Sequence, residues 1–110
     1  MMGYAIKICP DKVDLLEVNE IDLKFLREQI GCMWIEEIPS PYGYVIVDEE
    51  YLLNHPPCVN TIASNITGEF VNGIAILLDA TESDFVPYSK EEAEQIREKL
   101  LATNDSTTNK

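Results

Sequence analysis

An α+β fold is what this sequence predicts: a single domain in which a mainly antiparallel sheet of about five strands packs two principal helices on one face. Three observations lead there. Apolar runs recur at strand length, the loops between them are short enough for hairpins, and two segments carry an apolar stripe at helical spacing behind a capping residue. With 110 residues, 45% of them hydrophobic, the chain can fill one modest core, and the domain is expected to span residues 1–102.

Tyr4 to Cys9 alternates Tyr4, Ile6 and Ile8 against Ala5, Lys7 and Cys9, the pattern of a half-buried strand. Pro10-Asp11-Lys12 then supplies a turn, and Val13 to Val18 closes a hairpin. Asn19 is placed to cap a helix with Asp22 at its third position. Leu23, Leu26 and Ile30 follow at helical spacing, flanked by Ile21 and Phe25, until Gly31 ends the run. Met33 to Ile38 and Tyr44 to Val47 are apolar strands joined through Pro39-Ser40-Pro41-Tyr42-Gly43, and this pair is expected at the sheet centre. Trp34, inside the first of them, should be buried or else lie at an interface.

After Asp48-Glu49-Glu50 the chain reaches His55-Pro56-Pro57, and Cys58 to Ser64 fits a short helix begun by proline. Gly73 to Leu78 is an unbroken apolar run and should be a buried strand. Ser89 with Glu92 forms a capping box for a last helix whose apolar face is Ala93, Ile96 and Leu100. Residues 103–110 contain no apolar side chain to offset the entropy of ordering them, so a disordered tail is expected there.

Charge narrows the partners. Twenty Asp and Glu against eight Lys and Arg leave a net charge of −12, a field that repels nucleic acid and anionic lipid. No apolar run approaches the roughly 20 residues of a membrane span, and Met1 to Lys7 lacks the order of a signal peptide, so a cytoplasmic protein is expected. Cys9, Cys32 and Cys58 are an odd number at wide spacing. They read as reduced, mostly buried thiols, with neither a disulfide framework nor a zinc site.

Catalytic equipment is sparse, and no enzyme, metal or cofactor is expected. His55 is the one histidine, so any Cys–His or Ser–His pair would have to use it, and its place before Pro56-Pro57 suits a loop residue better than a base. A Cys58–His55 pair would lack an accompanying oxyanion element. Glu36, Glu37, Asp48, Glu49 and Glu50 could approach across the hairpin to hold a divalent cation, but solvated charge at a hairpin end is the better reading. There is no Gly-rich phosphate loop and no nucleophile elbow.

The order of these pieces resembles a known family. The strand pair, the capped helix, the apolar strand ending near Asp48-Glu49-Glu50, Asn60-x-x-Ala63, Gly73-x-Ala75 and the terminal Ser-x-Glu-Glu-Ala helix, together running from about Tyr4 to Leu101, are similar to DUF3846. Its members are uncharacterised small proteins of phages and bacterial mobile elements. They often carry a basic residue directly after the asparagine matched by Asn60, where this chain has Thr61. The resemblance implies a mobile-element setting and assigns no chemistry.

That setting suggests a binding protein that counteracts host defence, in one of two ways. It could sequester a small nucleotide-like signal through Tyr42, Tyr44, Asn60, Thr61 and Asn65 with Lys7, Lys24 and Arg27, and a homo-oligomer could bring cations of two chains together at an interface pocket. Alternatively, an acidic face made by Glu36, Glu37, Asp48, Glu49 and Glu50 could imitate nucleic acid and block a basic host nuclease. An accessory role without inhibition is the third reading. What separates the first two is whether the cations or the acids cluster in space.

Overall fold

Residues 75–78 read Ala, Ile, Leu, Leu, and a strand so apolar on both sides needs cover on both. The structure, a computed structural model, describes residues 3–81 and 84–108. Its elements follow as β1 (Gly3–Ile8), β2 (Val13–Val18), α1 (Leu23–Ile30), β3 (Ile35–Ser40), β4 (Gly43–Asp48), α2 (Tyr51–Asn54), α3 (Thr61–Thr67), β5 (Ala75–Ala80), β6 (Phe85–Val86) and α4 (Lys90–Thr108). The fold is α+β, with one antiparallel sheet in the order β2-β1-β5-β4-β3 and β6 paired to the end of β5.

Side chains of successive strand residues point to opposite faces, and here both rows are apolar. Ala5, Ile46, Ile76 and Leu78 pack with Leu26 of α1, joined by Phe25 and Ile30. Ile6, Ile8, Val45 and Leu77 pack on the other side with Ile62 and Ala63 of α3 and with Ala93 and Leu100 of α4. The two principal helices therefore divide between the faces, where cover on one face was expected. A one-sided arrangement would leave Ile46, Ile76 and Leu78 in water at about 1.5–3 kcal/mol each.

Several boundaries also differ from the sequence reading. The α1 cap is Asp22, whose carboxylate accepts from the Phe25 N–H at 2.8 Å, and not Asn19; Gly31 ends the helix in the left-handed region, at φ 78°. Asp22 lies directly before the first helical residue, the position from which a carboxylate reaches the free N–H groups of the first turn, and Asn19 stands three residues too early to do so. The β3–β4 hairpin is tighter than the loop suggested: Ser40 already faces Gly43, and only Pro41 and Tyr42 turn. Pro39 lies within β3 opposite Tyr44, which an edge strand tolerates because a missing N–H costs no ladder bond there.

β3 is an edge strand, not central, and it starts at Ile35; Met33 and Trp34 stand outside it, 67% and 57% exposed. Trp34 is thus not buried by its own chain. The segment after the proline pair folds later than expected, with α3 beginning at Thr61 under Asn60, while Tyr51–Asn54 forms a separate turn of helix. Tyr88 bridges Tyr4 through two backbone bonds of 2.8 Å, and β6 pairs Asp79 and Ala80, so residues 85–88 wedge between β1 and β5 where those strands part. The wedge was not foreseen.

The final helix opens as expected: Glu92 N–H donates to Ser89 Oγ at 3.2 Å, and Ser89 N–H and Oγ reach back to Glu92 Oε1 at 3.3 and 3.1 Å. The helix continues through Thr108, into the segment read as a tail, whose last two residues lie outside the described ones. Cys9 is buried, Cys32 half-buried and Cys58 exposed, so one of the three thiols departs from the expected burial. Among the described residues, no helix is long and apolar enough to cross a membrane.

Candidate functional site

One end of the sheet carries the feature that best fits a binding site. β4 ends at Asp48, whose carboxylate accepts from the Glu50 N–H at 2.8 Å and bends the chain into α2. Glu49 N–H donates to the Trp34 carbonyl at 3.0 Å, which keeps Trp34 beside this bend. Tyr51 then lays its ring on Gly73: a Cβ there would stand 2.5 Å from Tyr51 Cε2. Glycine at φ 78° allows that approach, so α2 is seated against the chain leading into β5.

Facing α2 is the loop over residues 69–72, and its backbone is tied down. Val71 N–H donates to Ser64 Oγ at 2.8 Å, the Val71 carbonyl accepts from Asn60 N–H at 2.7 Å, and the Asn72 side chain accepts from Cys58 N–H at 2.9 Å. Between loop and helix runs a cleft of about 180 Å³. Leu52, Leu53 and Phe70 line it while remaining 60%, 79% and 91% exposed. Glu36, Asp48, Glu49, Glu50 and Glu69 also line it, and no lysine, arginine or histidine does.

Four of the five acids singled out in the sequence therefore converge. Glu37 does not, because it points to the other sheet face and lines a separate hollow with Tyr44, Asp84 and Phe85. Glu69 and the three apolar residues were missed. Their signal was present in part: Phe70 stands beside Glu69 between two glycines, outside any strand or helix pattern, and Leu52-Leu53 belong to no helical stripe.

The residues proposed for an anionic ligand are not brought together. Lys7, Lys24 and Arg27 lie on the α1 side of the sheet, with Lys7 Nζ donating to Gln29 Oε1 at 3.4 Å and Lys24 in solvent. Arg27 Nε is buried without a hydrogen-bond partner. Thr61 and Asn65 are exposed on α3, across the sheet. Tyr42 is in the hairpin turn, its carbonyl accepting from Tyr88 OH at 2.8 Å, while Tyr44 sits edge-on to Phe85 at 6.1 Å.

Asn60 is wholly buried. Its Nδ2 donates to the Ile8 and Gly73 carbonyls, both at 2.8 Å, and its Oδ1 accepts from Ala63 N–H at 3.1 Å. All of its polar atoms are committed to the fold, so it offers nothing to a ligand.

His55 and Cys58 line one shallow, largely apolar cavity with Asp48, yet no hydrogen bond joins imidazole to thiol. His55 instead packs against the Tyr51 ring, centroids 4.7 Å apart. Among the described residues no group of three or more His, Cys, Asp or Glu side chains is placed to hold a metal ion. Burial pushes the Cys9 and Cys32 thiols above their ordinary range, helped at Cys32 by the Asp48 charge, which makes both poorer nucleophiles.

A single α+β domain with a cleft at one sheet end lined by both carboxylates and apolar side chains is thus the class of molecule the geometry defines. The chain belongs to DUF3846, a domain family of unknown function whose model matches residues 2–101. No curated protein and no solved structure matches it.

Proposed function

We propose that this chain is a non-enzymatic binding protein of phage or mobile-element origin that counteracts a host defence by occupying the basic surface of a defence protein in the bacterial cytoplasm. The observation that carries the reading is the asymmetry of charge in space: Glu36, Asp48, Glu49, Glu50 and Glu69 share one cleft that no lysine, arginine or histidine lines, whereas Lys7, Lys24 and Arg27 lie on the α1 side of the sheet. Capture of a small nucleotide-like signal needs the opposite arrangement, since an anion must be met by converging cations or amides. With Asn60 committed to three internal bonds, the sequestering reading loses one of its eight proposed residues.

Titration against basic defence nucleases at two salt concentrations tests the proposal. Binding should weaken as salt rises, because exposed pairs are screened over about 8 Å at physiological strength. Glu36→Gln, Glu49→Gln and Glu50→Gln should weaken it cumulatively, and His55→Ala should leave any effect in cells intact. Tight binding of a nucleotide, unaffected by the glutamine substitutions, would restore the sequestering reading; loss of effect in His55→Ala with the fold preserved would restore an enzymatic one.

A further inference from the structure

We infer that the cleft between α2 and the 69–72 loop is a docking groove for a cationic amphipathic peptide segment, one that carries apolar side chains among lysines or arginines. The inference rests on the acidic-face reading above and adds what the partner must bring besides charge. Of the eight large apolar side chains left exposed among the described residues, three line this one cleft, and Trp34 adjoins it through its bond to Glu49. No residue of α2 is buried, so Leu52 and Leu53 add little to the core. Phe70, at 91% exposure, adds as little, yet the backbone on either side of it is held, with Glu69 N–H donating to Thr67 Oγ1 at 3.3 Å and Val71 N–H to Ser64 Oγ at 2.8 Å. Apolar groups held on a fixed frame and left in water mark an interaction surface.

Charge then selects the occupant. Five carboxylates and no cation line the cleft. A nucleic acid or an anionic lipid is repelled. A second copy would bring an equally acidic cleft to the contact, since a two-fold interface apposes the same patch. A neutral apolar segment would strip water from the carboxylates without replacing it. A polycation lacking apolar groups would leave Phe70 and both leucines exposed. A segment with both properties satisfies both parts of the lining, by the groove mode of peptide recognition.

The test measures fluorescence anisotropy of short labelled peptides against the full chain. The first peptide is built of leucine and lysine in an amphipathic pattern, the second has serine for every leucine, and the third has glutamine for every lysine. The first should bind, with the other two at least about tenfold weaker. Phe70→Ser and Leu53→Ser change exposed side chains and should leave the circular dichroism spectrum unaltered, while each lowers affinity for the first peptide about tenfold. Equal binding of the serine peptide, or no effect of Phe70→Ser, would overturn the groove and leave the acidic-face reading standing. Equal binding of the glutamine peptide would overturn both. Failure of the first peptide to bind overturns the groove alone, because the nuclease titration judges the broader reading independently.

Discussion

Asn60→Ala should be among the most damaging single substitutions in this chain, for reasons that can be worked out bond by bond. The side chain is wholly buried and links three separate parts of the fold: the end of β1 through the Ile8 carbonyl, the approach to β5 through the Gly73 carbonyl, and the first turn of α3 through Ala63 N–H. Alanine removes all three bonds. A buried polar group left unsatisfied costs about 1–3 kcal/mol, but a carbonyl has a second lone pair and Ile8 also sits in the β1–β5 ladder, so the three losses will not add in full. A total of roughly 3–5 kcal/mol follows, against a native stability of about 5–15 kcal/mol for a domain of this kind. Urea unfolding followed by circular dichroism measures it, and the melting temperature should fall by at least about 10 °C. Asn60→Asp separates the bonds, since it keeps the helix cap but sets a carboxylate against two carbonyls, and it should be no more stable than the alanine variant at neutral pH. A loss below about 1 kcal/mol for Asn60→Ala would refute the staple and reopen the residue to a binding role.

Tyr88→Phe should cost about 0.5–1.5 kcal/mol at neutral pH by removing the bond to the Tyr42 carbonyl, as urea unfolding will show. Burial, with smaller help from Asp79 and Glu92, pushes the Tyr88 phenol far above its ordinary range. The folded state therefore holds that proton more tightly than the unfolded chain, so stability is intact below about pH 10 and declines above it; the phenylalanine variant should decline less. Gly43→Ala should lose more than Gly31→Ala, because a Cβ at Gly43 would collide with the Leu78 carbonyl oxygen, whereas Gly31 faces open space and carries only the left-handed penalty of about 1–2 kcal/mol. Thermal melts of the two rank them. Trp34 should emit as a water-exposed indole and be readily quenched by acrylamide; a buried, unquenched spectrum in the free protein would contradict its position outside β3.

What was legible in the sequence follows the range of the interactions concerned. The β1–β2 hairpin, the Ser89–Glu92 capping box and the Gly31 stop are set by residues within a few positions of one another, and each stands where periodicity and capping chemistry put it. The local errors, such as the α1 cap at Asp22 and the start of α3 at Thr61, are shifts of a few residues, and the larger ones concern groups far apart in the chain. Which face a helix covers depends on the parity of strands that pair across tens of residues, and runs such as Ile46-Val47 or Ile76-Leu77 look alike whichever side is already covered. The edge position of β3 was likewise hidden, although Pro39 within it was a usable clue. Asn60 looked like a polar site residue because a buried staple between residues 8, 60 and 73 leaves no local mark. The acidic cleft was half visible: the run Asp48-Glu49-Glu50 was plain, but only the fold delivers Glu69 and Phe70 to the same place.

The energetics of that cleft argue that its charge and its apolar lining act together. Exposed ion pairs contribute about 0.2–1 kcal/mol each, so five carboxylates each meeting a cation supply about 1–5 kcal/mol before any ordering cost is counted. A micromolar complex needs about 8 kcal/mol, and charge alone at this site falls short of it. Phe70, Leu53 and Leu52 have most of their transfer free energy still unrealised, at about 1.5–3 kcal/mol for each side chain fully covered. Covering two of them adds about 3–6 kcal/mol, which carries the upper part of the sum past that figure. The division of labour has a kinetic signature: the carboxylates act over a distance and should set the association rate and its salt dependence, while the apolar residues act on contact and should set the dissociation rate. A glutamine at Glu49 should therefore slow the arrival of a basic partner, and a serine at Phe70 should speed its departure. If both substitutions altered only the association rate, the apolar lining would have no part in binding and imitation of nucleic-acid charge would be the sufficient description.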